Sequence, residues 1–583
     1  MSKAKIIKTR PLQSQLSIPD MSPLLQRIYS ARNITSVEEL ESGLDKLASY
    51  KLLKNIESAT ELLMDAVYSE AKILIVGDFD ADGATSCAVA VKALRALGHH
   101  NVSYLVPNRF DYGYGLTPEI VDVAAKMGPD LIVTVDNGIA SMQGVQRAHE
   151  YDIAVLVTDH HLPGKVLPEA EAIVNPNQLG CNFPSKNLAG VGVIFYVMIS
   201  LRQALRDSGW FQEQGLKEPN LGVLLDLVAL GTVADVVPLD HNNRILVSQG
   251  IARIRAGHVC PGIKALLKVS NKKIESLVSA DMGFSIGPRL NAAGRLDDMS
   301  RGIECLLAED DQSALTMATE LHELNKERRD IEQDMKEQAE QVLATIITGT
   351  SQSDIPYGIS LYDANWHQGV IGILASRIKE AWHRPVIIFA NADTAENTIK
   401  GSARSIKGLH IRDALDLIAT RNPELIITFG GHAMAAGLTL KQENFEIFQE
   451  QFNSVVEELV SREDLEQVIY TDGELPLSDI TLENAELIQT ASPWGQAFPE
   501  PVFAGEFEVK DYRIVGEKHL KLRVQSVEEG VINSDKSFID AIAFSQAGNK
   551  VVIDNAKVCM VYRLSVNDYN GSKSVQLMVE HIE

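Results

Sequence analysis

Gly77-Asp-Phe-Asp-Ala-Asp-Gly83 follows the apolar run 73–76 and precedes a stretch rich in Ala and Val over 84–97. A short β-branched run reads as a buried parallel strand, the glycine as a sharp turn, and the small residues as a helix lying close against the sheet. Two more strings repeat the arrangement, Val135-Asp-Asn-Gly138 after the run 131–135 and Thr158-Asp-His-His161 after the run 153–157. A parallel sheet delivers its strand ends to one rim, and in open α/β sheets that carboxyl rim holds the ligand. Acids and imidazoles distant in sequence are therefore expected to converge in one crevice. Such a concentration of like charge is relieved by divalent cations, which suits a mixed oxygen and imidazole ligand set. Metal-dependent hydrolysis is the chemistry implied.

At 583 residues the chain exceeds what one hydrophobic core serves, and lengths of this order imply about three to four domains. Hydrophobic content of 45% and charged content of 23% are those of a globular protein. The longest apolar stretches are too interrupted to span a bilayer, and residues 1–11 carry basic residues without an apolar core, so neither membrane insertion nor export is expected. Cys87, Cys181, Cys260, Cys305 and Cys559 are scattered without a C-x-x-C pair, which fits a reducing cytoplasm and argues against a zinc cluster. A net charge of -24 argues against indiscriminate nucleic-acid binding, though not against a local basic groove.

Periodicity divides the chain into five parts. Residues 1–50 read as a lead-in segment in which Pro11, Pro19 and Pro23 interrupt any early helix. Residues 51–300 read as a doubly wound α/β domain, with helices near 84–97, 118–127, 141–150, 188–205 and 221–229, the last running into Gly231-Thr-Val-Ala-Asp235. Residues 301–348 read as a long helical connector, largely solvated, because 303–347 hold neither Gly nor Pro. A second α/β domain is expected over 349–465, with strands near 358–362, 385–389 and 425–428. Five short alternating runs over 466–583 suggest an OB-like barrel. Arg513, Lys518, Lys521, Arg523, Arg563 and Lys573 are its candidate phosphate contacts, and Tyr512, Tyr562 and Tyr569 its candidate stacking residues. Alternation of this kind equally describes the wet face of a sheet.

If the backbone of the first string stays extended, its alternate acids point the same way, and Asp80 and Asp82 clasp metal together. The string resembles a calcium loop, but the Glu that an EF-hand needs at its twelfth position is Val89 here. A lone strand-end Asp is often only a helix cap, a reading that weakens when three rims agree. His160 and His161 should diverge, one toward metal and the other toward substrate.

Asp159-His-His161, with the upstream D-x-D-G and Val-Asp-Asn-Gly, resembles the DHH phosphoesterase superfamily, and Gly430-Gly-His-Ala-Met-Ala-Ala-Gly437 resembles the glycine-rich motif of the accompanying DHHA1 domain. Asn108-Arg-Phe110, Tyr112-Gly-Tyr-Gly115, Gly287-Pro-Arg-Leu-Asn-Ala-Ala-Gly-Arg295 and Trp366-His-Gln-Gly-Val-Ile-Gly372 are similar to strings of its single-strand-specific exonuclease branch. The resemblance implies an α/β multidomain fold: a parallel-sheet DHH domain, a long connecting helix, an α/β DHHA1 domain and a C-terminal OB-like β-barrel. It implies removal of 5'-mononucleotides from the 5' end of single-stranded DNA with two divalent ions, Mn2+ or Mg2+. Metal ligands would be Asp78, Asp80, Asp82, Asp136, His160 and Asp235. Related proteins often carry a histidine where this chain has Val76, which leaves the role of Asp78 open. Water activated between paired cations that share Asp136 would attack phosphorus in line, with His161 on the scissile phosphate and Asp159 orienting its neighbouring histidine.

Arg109, Ser402 and Arg404 are expected at the 5' phosphate, Gly431 and His432 beside a phosphate, and Arg289 and Asn291, with Arg295, along the strand path. A single-strand-binding protein and a helicase are the partners implied, in cytoplasmic DNA repair and recombination. A relative that cleaves short oligonucleotides or cyclic dinucleotides needs neither the connector nor the barrel. A catalytically silent nucleic-acid-binding protein would not need these acids and both histidines.

Overall fold

The computed structural model describes residues 5–14, 16–108, 112, 114–347, 355–392, 397–527, 538–548, 556–569 and 571–583. They fall into two compact units, one built on residues 8–322 with 470–583 and the other on residues 323–469 with the N-terminal end of the chain.

The larger unit contains the parallel sheet expected from the apolar runs. Its strands lie in the order Val102–Leu105, Ile73–Gly77, Leu131–Val135, Ala154–Thr158 and Ala172–Val174, every pair parallel. In chain order this is second, first, third, fourth, fifth, so the winding reverses between Ile73–Gly77 and Leu131–Val135. Ligands bind at such a switch point, and both acidic loops emerge there. Edge strand Val102–Leu105 escaped the sequence reading because it is short and half-buried, with no apolar run to mark it. Helix Ala81–Ala96 is buried on nearly all sides, as its small residues require, and packs against helices Gly190–Asp207 and Leu225–Ala234. On the opposite face Ile120, Val121, Val145 and Ala148 of helices Pro118–Met127 and Met142–His149 pack on Leu74, Ile132 and Val155.

The same unit carries the barrel. Strands Phe503–Val515, His519–Ser526, Ile539–Ala543, Ser572–Ile582 and Lys557–Tyr569 close in that order. Phe503, Phe507 and Tyr562 fill its interior. Tyr562 is thus a core residue and not a stacking surface. Arg563 is held by Glu500 and Glu580, and Lys573 by Glu486. Arg513, Lys521 and Arg523 do line a shallow cavity with Asp511, Leu522 and Asp540. Nothing is added for Tyr569, whose side chain lies outside the described residues.

The N-terminal segment is packed, contrary to its reading as a lead-in. Helix Pro23–Ser30 starts on the proline expected to break it, because the missing N–H falls in the first turn, where no intrahelical acceptor exists; Ser22 caps it by accepting from Leu25 N at 3.2 Å. Just beyond it, buried Arg32 grips Asp472 at 2.7 and 3.1 Å and stacks over Trp494.

In the smaller unit strands Thr428–Gly431, Ala435–Lys441, Thr398–Arg404, Val386–Asn391 and Ile359–Tyr362 form one sheet, with only the last pair parallel. The strand expected over 425–428 begins where that stretch ends, and its glycines are strand residues. Helix Asp311–Ile347 carries a buried side as well as a wet one: Glu332 pairs with Arg328 and with Arg377, and Trp366 donates to Gln338. The reading of a largely solvated connector is corrected accordingly. No helix among the described residues is long and apolar enough to cross a membrane.

Candidate metal centre

The first acidic loop turns helical earlier than an extended reading allows. Asp80 is the N-cap of helix Ala81–Ala96, and its Oδ1 accepts from Asp82 N at 2.9 Å and Gly83 N at 3.0 Å. Asp82 therefore sits in the first helical turn, where its oxygens accept from Gly190 N at 2.6 Å and Val191 N at 2.9 Å. The two acids do not clasp one point. Possible donor atoms gather instead in three groups, each within 4.8 Å: Asp78, Asp80 and Asp136; Asp82, His160 and Asp235; and Asp136, His160 and His161. Asp136 and His160 link them.

Tertiary packing holds each loop. Asp136 is left-handed, with φ of 62°, and the Asn137 amide beside it donates to Val76 O and Val135 O, tying the two strands at the switch point. His160 Nε2 lies 3.1 Å from Asp136 Oδ1 and 3.5 Å from Asp235 Oδ2. Asp159 accepts from His161 Nδ1 at 2.8 Å and from Ile139 N at 2.9 Å. The two imidazole centroids are 4.5 Å apart, so the rings diverge less than strand alternation implies.

Several further residues shape the site without having been expected there. Asn175 and Asn177 donate to the carbonyls of His161 and His160. Tyr114 donates to Asp136 O at 3.2 Å, and its hydroxyl lies 3.3 Å from the His161 ring nitrogens. A Cβ on Gly190 would stand 2.5 Å from Asp136 Cβ, one on Gly231 2.9 Å from Asp82 Oδ1, and one on Gly294 1.9 Å from Phe79 O. These glycines admit the acidic loops by close approach; Gly231 and Gly294 stand in strings visible in the sequence, but the strings do not show which segment passes them.

The electrostatics call for positive charge. Burial, then Asp82 and Asp80, raises the Asp136 carboxyl well above the usual range, and burial with the same neighbours does so for Asp235. Burial and Asp80 push Asp82 up to about 7. Burial alone would raise Asp159 and lower His161, but their hydrogen bond and mutual attraction reverse both, holding the carboxyl low and the imidazole high. Asp136 Oδ1 and Asp235 Oδ2 are buried and accept no hydrogen bond from the described residues. Orphaned carboxylate oxygens beside an imidazole fit divalent cations.

The raised carboxyls fix the sign of a pH effect. Without cation the folded chain keeps protons that the unfolded chain releases, so stability should fall as pH rises from about 4, the free carboxyl value, to about 7. Melting curves in chelator should show that decline between about pH 4 and about pH 7, and Mn2+ should reverse it with proton release. A chelated protein that stabilises over this window would contradict the assignment.

Comparison with known proteins decides the family. Residues 72–232 match the DHH family N-terminal domain, 354–458 the DHHA1 domain, and 471–581 the RecJ OB domain. The single-stranded-DNA-specific exonuclease RecJ of Dickeya dadantii is 52% identical over 578 residues, 99% of this chain and 98% of its own length. That of Escherichia coli is 50% identical over 579 residues, with the same coverage. The chain belongs to the RecJ family. The crystal structure of RecJ in complex with Mn2+ from Thermus thermophilus is similar at a TM-score of 0.78 and 28% identity, covering 99% of this chain and 79% of that one.

The remaining candidate residues divide between the two units. Arg289 is buried, donating to Ser285 O at 2.5 Å and toward His322 Nδ1, and Asn291 Oδ1 accepts from Ala81 N at 2.7 Å. Asn291 thus braces the first acidic loop, while Arg289 ties its own helix to the start of helix Asp311–Ile347. In the smaller unit Arg404 Nη1 donates to Ser402 Oγ at 3.1 Å, and a Cβ on Gly372, in the first turn of helix Ile371–Trp382, would lie 3.0 Å from Ser402 Oγ and Arg404 Nη2. Hydroxyl, guanidinium and helix N-terminus meet there, a constellation suited to phosphate. Gly430 faces Gly437, which in turn faces Ser402, so the expected glycine loop is a hairpin closed by residues 432–434. Gly431 has φ of 139°, and a Cβ there would strike Ala435 O, while His432 N–H donates to that same oxygen. Arg109 lies outside the described residues.

Proposed function

We propose that this chain is a metal-dependent, single-strand-specific DNA exonuclease that works from the 5' end, releases 5'-mononucleotides and serves DNA repair and recombination in the cytoplasm. One observation carries the reading: acids and imidazoles from four separate stretches meet at the sheet's switch point with buried carboxylate oxygens that accept no hydrogen bond from the described residues. The full-length similarity to exonucleases so named supports the substrate. Asp78, Asp80, Asp82, Asp136, His160 and Asp235 would hold two divalent ions, Mn2+ or Mg2+. When bound, these supply Lewis acidity and an acidified water at neutral pH.

The chain's own groups do the rest. Asp159 fixes His161 in one orientation and favours its protonated form, so the imidazole can donate to a phosphate oxygen whose charge grows during attack. Tyr114 closes one side of that histidine at a ring distance of 5.7 Å. Ser402 and Arg404 would take the 5' phosphate, with Gly431 at the end of a strand of the same sheet and His432 in the turn that follows. With this activity go a single-strand-binding protein and a helicase as partners.

Strands labelled at the 5' or the 3' end, given Mn2+, Mg2+ or chelator beside a duplex control, test the proposal. Mononucleotide should appear first from the 5' label. Earlier release of the 3' label would overturn the polarity, and full turnover in chelator the metal dependence. Arg404→Ala should raise KM for 5'-phosphorylated strands about ten-fold, the worth of a charge-assisted hydrogen bond, and leave 5'-hydroxyl strands little changed. Equal effects on both would remove Arg404 from end recognition.

A further inference from the structure

Phe284 is a large apolar side chain left 79% exposed, and it stands on an irregular turn that packs against Val233, two residues before Asp235. A single exposed Phe is ordinary; its setting is not. The helix of residues 279–296 is interrupted by a π-turn, Met282–Ile286, of the kind that concentrates at functional sites. Met282, Ile286 and Leu290 are buried, which leaves Phe284 on the outer side of that turn.

Packing ties this helix to both ends of the catalytic unit. At its start Ser279 Oγ donates to Trp494 O at 2.6 Å in the segment leading to the barrel, and nearby Lys273 pairs with Asp568 of barrel strand Lys557–Tyr569 at 2.6 Å. Further along, Asn291 holds Ala81 N, and Gly294 abuts Phe79 O in the first acidic loop. In between, a Cβ on Gly283 would lie 3.3 Å from Val233 Cγ1 and one on Gly287 3.2 Å from Ala234 Cβ, so the π-turn presses on the residues just before Asp235. Val236, the next residue, is 61% exposed and left-handed with φ of 62°. A β-branched residue in that conformation is strained, and such strain clusters at functional sites. Seven residues separate Phe284 from Asn291, about 10 Å along a helix axis.

We propose that Phe284 is a stacking surface for an unpaired base of the substrate, on the retained 3' side of the scissile bond, where the strand leaves the metal centre toward the barrel. The proposal rests on the single-strand exonuclease reading above. An aromatic face serves any base, so it contributes affinity for single strands without sequence preference, and a paired base cannot present its face to it.

The test compares wild-type protein with Phe284→Ala and Phe284→Trp on a single-stranded 20-mer and on a dinucleotide too short to reach the turn, alongside binding of oligo(dT) in chelator. Phe284→Ala should raise KM for the 20-mer and weaken oligo(dT) binding roughly ten-fold. It should leave dinucleotide turnover unchanged, and Phe284→Trp should retain wild-type behaviour. A scan of single abasic positions should show one position that slows wild type and not Phe284→Ala. Unchanged binding by Phe284→Ala, or equal loss on both substrates, would overturn the proposal. Wild-type protein that binds oligo(dT) through Phe284 yet releases no nucleotide would instead refute the exonuclease reading.

Discussion

Asp136→Ala is expected to abolish measurable nuclease activity and to weaken Mn2+ binding by more than about 100-fold, beyond the usual cost of losing an outer-sphere partner. Among the described residues Asp136 belongs to two of the three donor groups, and its Oδ1 is buried without a hydrogen-bond donor. The same change should raise the melting temperature in chelator, because it removes a buried acid from a cluster of acids. Opposite signs for stability and metal affinity identify a ligand site, since a merely structural residue would lose both. Titration calorimetry with Mn2+ and melting in chelator read the two quantities. Wild-type affinity in the variant would remove Asp136 from the centre.

His161→Ala should lower kcat by about 100-fold or more, the scale of losing one donor to developing charge, with Mn2+ affinity held within a few-fold. The geometry gives the reason: Nδ1 is engaged by Asp159, so the ring presents Nε2 on its other edge. Yet His161 also falls within 4.8 Å of donors from Asp136 and His160. Loss of Mn2+ equal to that of His160→Ala would make His161 a ligand and refute the division of labour between the adjacent histidines. Asp159→Asn offers a second reading. It should leave the ring in place but remove the charge that keeps the imidazole protonated, shifting the pH profile of kcat toward lower pH.

Much of this site was legible in the sequence. Short β-branched runs ending in Asp78, Asp136 and Asp159 announce strands by composition alone, and parallel strands bring their ends to one rim whatever connects them. The barrel was legible for a similar reason, since alternation survives every detail of register. Its charged face was not, because Arg563 and Lys573 found carboxylates on neighbouring elements. Tyr562 was misread because the pleat that turns one residue outward turns the next inward, and only the closed barrel decides which. The contacts Arg289 and Asn291 make within the fold were not legible, since a polar residue in a motif reads alike whether it meets substrate or braces a loop.

Local pattern therefore determined that this protein has a parallel sheet, a metal-binding rim, a second sheet and a barrel, because strand and helix periods are set by residues next to one another. Tertiary structure alone decided how the acids are shared. Asp80 caps a helix while Asp82 turns to the backbone of Gly190, and the two enter different donor groups. It also decided that Gly190, Gly231 and Gly294 had to lack side chains and that Phe284 stands outward on a turn packed against Val233. Those outcomes depend on which distant segment passes within 3 Å, and contacts between parts of the chain far apart in sequence leave no period along it.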